Sequence, residues 1–144
     1  QSGPGEGREE DVDRGIRSAR KMSDRRVDKP WGYEIIWAET KDYVGKILHI
    51  DANQQLSLQY HEEKEETIRV MKGTMGLTLV TGYGTENETR TTRRLGEGDT
   101  YHISPGTIHR YLSVGSPVDI IEVSTTELDD VVRLEDAYGR KQSD

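Results

Sequence analysis

Gln59 and His61 stand two residues apart in the run Leu58-Gln59-Tyr60-His61. On an extended chain both side chains leave the same face, and Glu66 follows after a short charged turn, so three donor groups converge from one hairpin. A fourth donor, His109, heads a later run just beyond the tight turn Ser104-Pro105-Gly106-Thr107-Ile108. Imidazole nitrogens with carboxylate and amide oxygens form a borderline-to-hard ligand set. Such a set suits one divalent ion, Zn²⁺, Mn²⁺, Co²⁺ or Fe²⁺, and the residue types do not choose among these. The chain has no cysteine, so thiolate ligands and a thiol nucleophile are excluded. The plainer alternative is four polar side chains on solvated strands, or a barrel with an empty site. Donor type and spacing agree at once, which favours the metal. His102 and His49 are read as surface or structural histidines and stay outside the ligand set.

These donors need strands to carry them. After Lys29-Pro30-Trp31-Gly32 the residues Tyr33, Ile35 and Trp37 alternate with others, as do Lys46, Leu48 and Ile50, and period two means strands. Short runs follow at residues 56–61, 66–71, 75–80, 90–95, 100–104, 109–113 and 119–124, separated by Gly, Asn, Asp or Pro. That spacing predicts an all-β antiparallel sandwich or closed barrel. Lys72-Gly73, Thr81-Gly82-Tyr83-Gly84 and Gly96-Glu97-Gly98-Asp99 supply turn chemistry. Residues 128–138 are expected to form a short helix or an ordered tail. With 144 residues the chain suits one domain, expected over residues 29–140. The Gly-, Arg- and Glu-rich residues 1–28 are too poor in apolar side chains to pack and are read as a flexible arm dispensable for folding, with 141–144 a disordered tail.

A net charge of -7 argues against general binding to nucleic acid or a membrane surface, because phosphate backbones attract clustered Lys and Arg. No run approaches the ~18 apolar residues of a membrane span, and no signal-peptide core is seen, so the expected compartment is cytoplasmic. Exposed sheet edges lead to the expectation of a homodimer.

The segments from Gln59, His61 and Glu66 to Gly73, and from Gly98 through Pro105-Gly106 to His109, resemble the two motifs of the cupin superfamily. The resemblance implies a jelly-roll barrel, the double-stranded β-helix, with Gln59, His61, Glu66 and His109 as ligands. Ser113 stands where the second motif usually ends in asparagine. A closer likeness covers most of residues 29–140. It is to the cupin domain of type II mannose-6-phosphate isomerases, including that of the bifunctional enzymes that also make GDP-mannose. It rests on Lys29-Pro30-Trp31-Gly32, Lys46, Leu56-Ser57-Leu58-Gln59-Tyr60-His61, His109-Arg110, and the tail from Ile121-Glu122-Val123 through Asp129-Asp130 to Arg133-Leu134-Glu135-Asp136-Ala137-Tyr138-Gly139-Arg140. In that branch glutamine is itself the first ligand.

The chain departs from the family at His61-Glu62-Glu63-Lys64-Glu65-Glu66-Thr67-Ile68, where relatives usually carry His-His-His-Arg-x-Glu-His-Trp. Lys64 keeps a cation without the arginine fork. No Gly-rich phosphate loop is present, so nucleotide-sugar synthesis is not expected. The resemblance implies a metal-dependent aldose–ketose isomerase of a phosphorylated sugar, of the mannose 6-phosphate and fructose 6-phosphate kind. Lys46 would stabilise oxyanion charge, and Glu65 or a metal-bound water would move the proton. Two other functions remain open: a sugar- or metal-binding cupin without catalysis, favoured by the lost Arg and histidines, and a non-haem iron oxygenase using His61, Glu66 and His109. Trp31 and Tyr138 are expected to plug the barrel ends, and Arg133 and Arg140 to hold the tail through ion pairs.

Overall fold

A computed structural model describes residues 18–140. The alternation read from the sequence becomes eleven strands: β1 (Arg25–Lys29), β2 (Gly32–Glu39), β3 (Val44–Ile50), β4 (Leu58–Tyr60), β5 (Glu66–Lys72), β6 (Met75–Thr81), β7 (Thr89–Leu95), β8 (Thr100–Ile103), β9 (Ile108–Ser113), β10 (Val118–Ser124) and β11 (Val132–Glu135). They pair antiparallel in two sheets, one ordered β1-β2-β3-β10-β5-β8 and the other β11-β4-β9-β6-β7. This is the jelly-roll architecture, and among the described residues there is no helix. The segment 128–138 is an ordered tail built around β11, which pairs with β4, rather than a helix.

The first strand starts earlier than expected. Arg25 to Lys29 pair in register with Ile36 to Gly32, so residues 25–28 belong to the sheet and not to a flexible arm. The ladder satisfies their main chain, and alternate side chains Arg25, Val27 and Lys29 line the barrel cavity, so sparse apolar content was a poor guide there. Residues 1–17 of the expected arm and the expected tail 141–144 lie outside the described residues. In β2 the inward row is Glu34 and Ile36, while Tyr33, Ile35 and Trp37 lie on the outer face. The indole of Trp37 lies over Gly45 of β3, where a Cβ would come within 2.6 Å of the ring.

The inward rows change character at one level of the barrel. Along β3 they run Ile50, Leu48, Lys46; along β10, Val118, Ile120, Glu122; along β5, Val70, Ile68, Glu66; and along β9, Ser113, Tyr111, His109. The register sets Leu48 and Val70 on either side of Ile120, and Lys46 and Ile68 on either side of Glu122. One end is therefore an apolar core of Trp31, Leu48, Ile50, Ile68, Met75, Leu77, Tyr111, Ile120 and neighbours, and the other collects ionisable groups. Trp31 is buried in that core, and Tyr138 packs on it with its hydroxyl donating to Gln54 Oε1 at 2.6 Å. Ser113 Oγ donates to the Asp51 carbonyl at 2.7 Å, so the position still ties down the loop after β3.

Strand parity makes a direct test. Ile120→Ala removes a fully buried side chain and is expected to cost about 2–5 kcal/mol in urea unfolding. Val123→Ala, on the outer face of the same strand, is expected to stay within about 0.5 kcal/mol of wild type. Equal losses would mean that the assigned faces of β10 are wrong.

Candidate metal centre

His61 follows β4, Glu66 opens β5 and His109 lies in β9, and one donor atom from each falls within 4.8 Å of the others. Glu66 Oε1 is 3.3 Å from His61 Nε2 and 3.1 Å from His109 Nε2, and all three side chains are buried. Each ring is oriented from behind by a main-chain carbonyl. His61 Nδ1 bonds to the carbonyl of Asp130, and His109 Nδ1 to that of Thr107 at 2.8 Å. A carbonyl only accepts, so Nδ1 carries the hydrogen, and in the neutral ring Nε2 presents a lone pair. Both Nε2 atoms are buried without a hydrogen-bond partner. Two ring nitrogens that can each offer a lone pair, gathered at one carboxylate oxygen, suit a cation. The donor set therefore fits a divalent ion such as Zn²⁺, Mn²⁺, Co²⁺ or Fe²⁺.

Gln59 lies on the cavity wall beside these three, opposite His109 in the β4–β9 ladder. Its Oε1 accepts from Ser57 Oγ at 2.6 Å, which engages one of the two lone pairs of the amide oxygen.

The carboxylate of Glu66 is held by more than the imidazoles. Tyr111 donates its hydroxyl to Oε1 at 3.0 Å, and Lys64 Nζ lies 3.3 Å from Oε2. The same ammonium is 3.3 Å from Oε2 of Glu122. Burial pushes the Glu66 carboxyl up, but the Lys64 charge together with the polar side chains of His109, His61 and Glu122 holds the group well below the usual range. At Glu122 burial wins, helped by the Glu66 charge and opposed by Lys64 and Lys46, so its carboxyl is pushed up to about 7. Burial and the Glu66 charge also raise the Tyr111 phenol well above its ordinary value.

A cavity of about 300 Å³ opens over this cluster. Its lining also holds a second charged group, in which Lys46 Nζ sits 3.4 Å from Glu34 Oε1 and Lys29 Nζ 4.0 Å from the same oxygen. Burial, with the neighbouring charges of Lys46, Arg140 and Arg133, lowers the Lys29 ammonium despite Glu34. Arg25, Arg133 and Arg140 complete a largely cationic lining. Arg140 also makes the expected tail ion pair, with both nitrogens 3.0 Å from the Asp136 carboxylate.

Lys46 faces the cavity as its alternation with Leu48 and Ile50 implied. Glu65 does not. It directly precedes Glu66, so strand parity turns it to the outer surface, where its Oε2 is 2.9 Å from His102 Nε2 and half its side chain is exposed. Its expected place as proton carrier in the barrel is withdrawn for that reason. His49 is partly buried against Tyr33 and Asp119. Sequence reasoning passed over Glu34, Glu122 and Tyr111. The signal for Glu122 was available, because it continues the inward row of Val118 and Ile120.

Loss of either imidazole nitrogen should cost more metal affinity than loss of the amide. His61→Ala and His109→Ala are expected to weaken Co²⁺ binding by more than ~100-fold, and Gln59→Ala by ~10-fold, read from cobalt absorption titrations. Glu122 gives a pH signature. Its folded value of about 7 exceeds the ordinary 4.5, so the folded state binds the extra proton and apo-protein stability falls as pH rises through that window. Glu122→Gln is expected to flatten that decline in thermal melts of the metal-free protein.

The family model for the C-terminal part of mannose-6-phosphate isomerase matches residues 17–136. Among curated proteins, the chain is 36% identical over 121 residues to the mannose-1-phosphate guanylyltransferase ManC of Salmonella typhimurium, covering 81% of this chain and 23% of that protein. It is 32% identical over 119 residues to the alginate biosynthesis protein AlgA of Pseudomonas aeruginosa, covering 79% and 23%. The chain thus spans about a quarter of the length of these relatives. Among solved structures, KdgF from Halomonas sp. superposes with a TM-score of 0.59 at 21% identity, over 76% of this chain and 92% of that one. Oxalate decarboxylase from Bacillus subtilis superposes with a TM-score of 0.65 at 14% identity, over 78% and 30%. These two likenesses concern the fold. The sequence match decides the family: the chain belongs to the mannose-6-phosphate isomerase C-terminal family, on a cupin barrel.

Proposed function

We propose that the barrel binds a phosphorylated hexose beside a divalent ion and interconverts its aldose and ketose forms, with mannose 6-phosphate and fructose 6-phosphate as the pair. The observation that carries this reading is that one cavity joins a metal donor set to a row of basic side chains. His61 and Glu66 of the donor set line it together with the basic side chains of Lys29, Lys46, Lys64, Arg133 and Arg140. A sugar phosphate offers groups for both, with carbonyl and hydroxyl oxygens for an ion and a dianion for the basic side chains.

A divalent ion held by His61, Glu66 and His109, with Gln59 adjacent, supplies Lewis acidity toward the substrate's C1 and C2 oxygens. The residues do the rest. In the conversion of aldose to ketose the proton on C2 moves to C1, and the proton on O2 moves to O1. Glu122 is the carboxyl placed for the carbon-to-carbon transfer, being buried in the cavity wall and steadied by Lys64. Lys46 adds positive charge beside the reacting oxygens while Glu34 fixes its ammonium. Lys29, Arg133 and Arg140 provide the charge that a phosphoryl group requires.

A second reading, a sugar-binding module without catalysis, draws on the outward placement of Glu62, Glu63 and Glu65, which leaves Lys64 as the inward group of that turn. A coupled assay with mannose 6-phosphate on metal-stripped and metal-loaded protein separates the two. Isomerisation is expected only with metal, and Lys46→Met is expected to lower kcat/KM by at least ~10-fold, about 1.4 kcal/mol of transition-state stabilisation. Saturable hexose-phosphate binding without turnover in the loaded protein would leave the binding module in place of the isomerase. Absence of both would remove the sugar-phosphate reading.

A further inference from the structure

The hairpin turn that joins His61 to Glu66 is tied at Glu65 by Thr125 and over residues 62–64 by Asp130. Asp130 Oδ1 accepts from the main-chain N–H of Glu62 at 3.0 Å, and Oδ2 accepts from those of Glu63 at 2.7 Å and Lys64 at 2.9 Å. The carbonyl of the same residue accepts from His61 Nδ1. Three successive N–H groups converging on one carboxylate form an anion nest, and bonds to an ionised acceptor are the strong kind. The turn needs such a tether. Glu62 and Glu63 are exposed while Lys64 between them and Glu66 is 5% exposed, and a lysine left free would carry its ammonium back to water.

We propose that Asp130 is a positioning residue for the metal centre: by binding the 62–64 turn it sets the His61 ring and directs Lys64 into the barrel. This rests on the metal-binding reading of His61, Glu66 and His109. The neighbours of Asp130, namely Leu128, Asp129 and Val131, line the cavity, so the same tether joins the cavity wall to the donors. By reciprocity, metal bound through His61 tightens that wall, and order in the wall raises metal affinity.

The test pairs Zn²⁺ affinity, measured by chelator competition, with amide hydrogen exchange in the metal-free protein. Asp130→Ala is expected to lower Zn²⁺ affinity by ~10–100-fold, the range for groups that orient a ligand from behind. It should also speed exchange at Glu62, Glu63 and Lys64 by more than ~10-fold while Ile68 and Ile120 keep wild-type protection. Asp130→Asn, which retains one carbonyl acceptor, should fall between. Glu63→Ala, an equal change of charge on the same turn, should match wild type in both measurements. Unchanged affinity with unchanged exchange in Asp130→Ala overturns the proposal, as does equal acceleration at Ile68 and Ile120, which would mean a general loss of fold. If wild type itself binds no Zn²⁺, the metal reading fails by that result. Exchange at 62–64 then still decides whether Asp130 holds the turn.

Discussion

The Lys64 ammonium, shared between Glu66 and Glu122 inside the barrel, is the interaction on which the rest of the site depends. Two carboxylates this close in a buried place repel, and each loses hydration that is worth several kcal/mol. One lysine between them offsets both. With His109, His61 and Glu122 it holds the Glu66 carboxyl down against burial, and at Glu122 it only partly opposes the burial that pushes that carboxyl up. The division suits the geometry, because Glu66 faces the His61 and His109 rings in the donor cluster while Glu122 lies outside it on the cavity wall.

The same requirement explains how the chain is spent. A barrel of this size would close most simply on an apolar filling, yet only 31% of the residues are hydrophobic. The inward rows of β3, β5, β9 and β10 are apolar over roughly half their length and then switch to Lys46, Glu66, His109 and Glu122. The apolar end, with Trp31, Ile50, Ile68, Met75, Leu77 and Ile120 almost free of solvent contact, supplies the burial that offsets the desolvated charges. The rigidity of the two-sheet ladder in turn holds those charges at fixed spacing, which a softer scaffold would let relax toward water.

Much of this was legible in sequence because period two is a strong signal. Gln59 and His61 share a face, Lys46 follows the parity of Leu48 and Ile50, and the Pro105-Gly106 turn places His109 near the head of β9. The failures have physical causes. Glu65 and Glu66 differ by one residue and so by a whole face, a distinction that a charged run without apolar neighbours does not advertise. Glu34 was hidden beside the more conspicuous Tyr33, Ile35 and Trp37, whose outward position depends on Gly45 leaving room for an indole. Strand β1 was missed because its stability lies in main-chain pairing with β2, to which composition is blind. Asp130 belongs to the least predictable class of contact, a carboxylate meeting main-chain N–H groups 66 to 68 residues away.

The electrostatics of the cavity oppose those of the whole molecule. The chain carries a formal charge of -7, which repels polyanions at long range, yet six basic side chains line the cavity against four acidic ones. One of those four, Glu122, has its carboxyl pushed up by burial, and Glu34 is engaged by Lys46 and Lys29. Screening over about 8 Å at physiological ionic strength confines the surface charge, whereas the low-dielectric wall preserves the cavity's own field. A small anion that reaches the mouth therefore meets more basic than acidic side chains. A divalent ion bound at His61 and Glu66 would add positive charge to the same cavity, which suits the compact anion with neutral oxygen donors that the proposed isomerase reading requires.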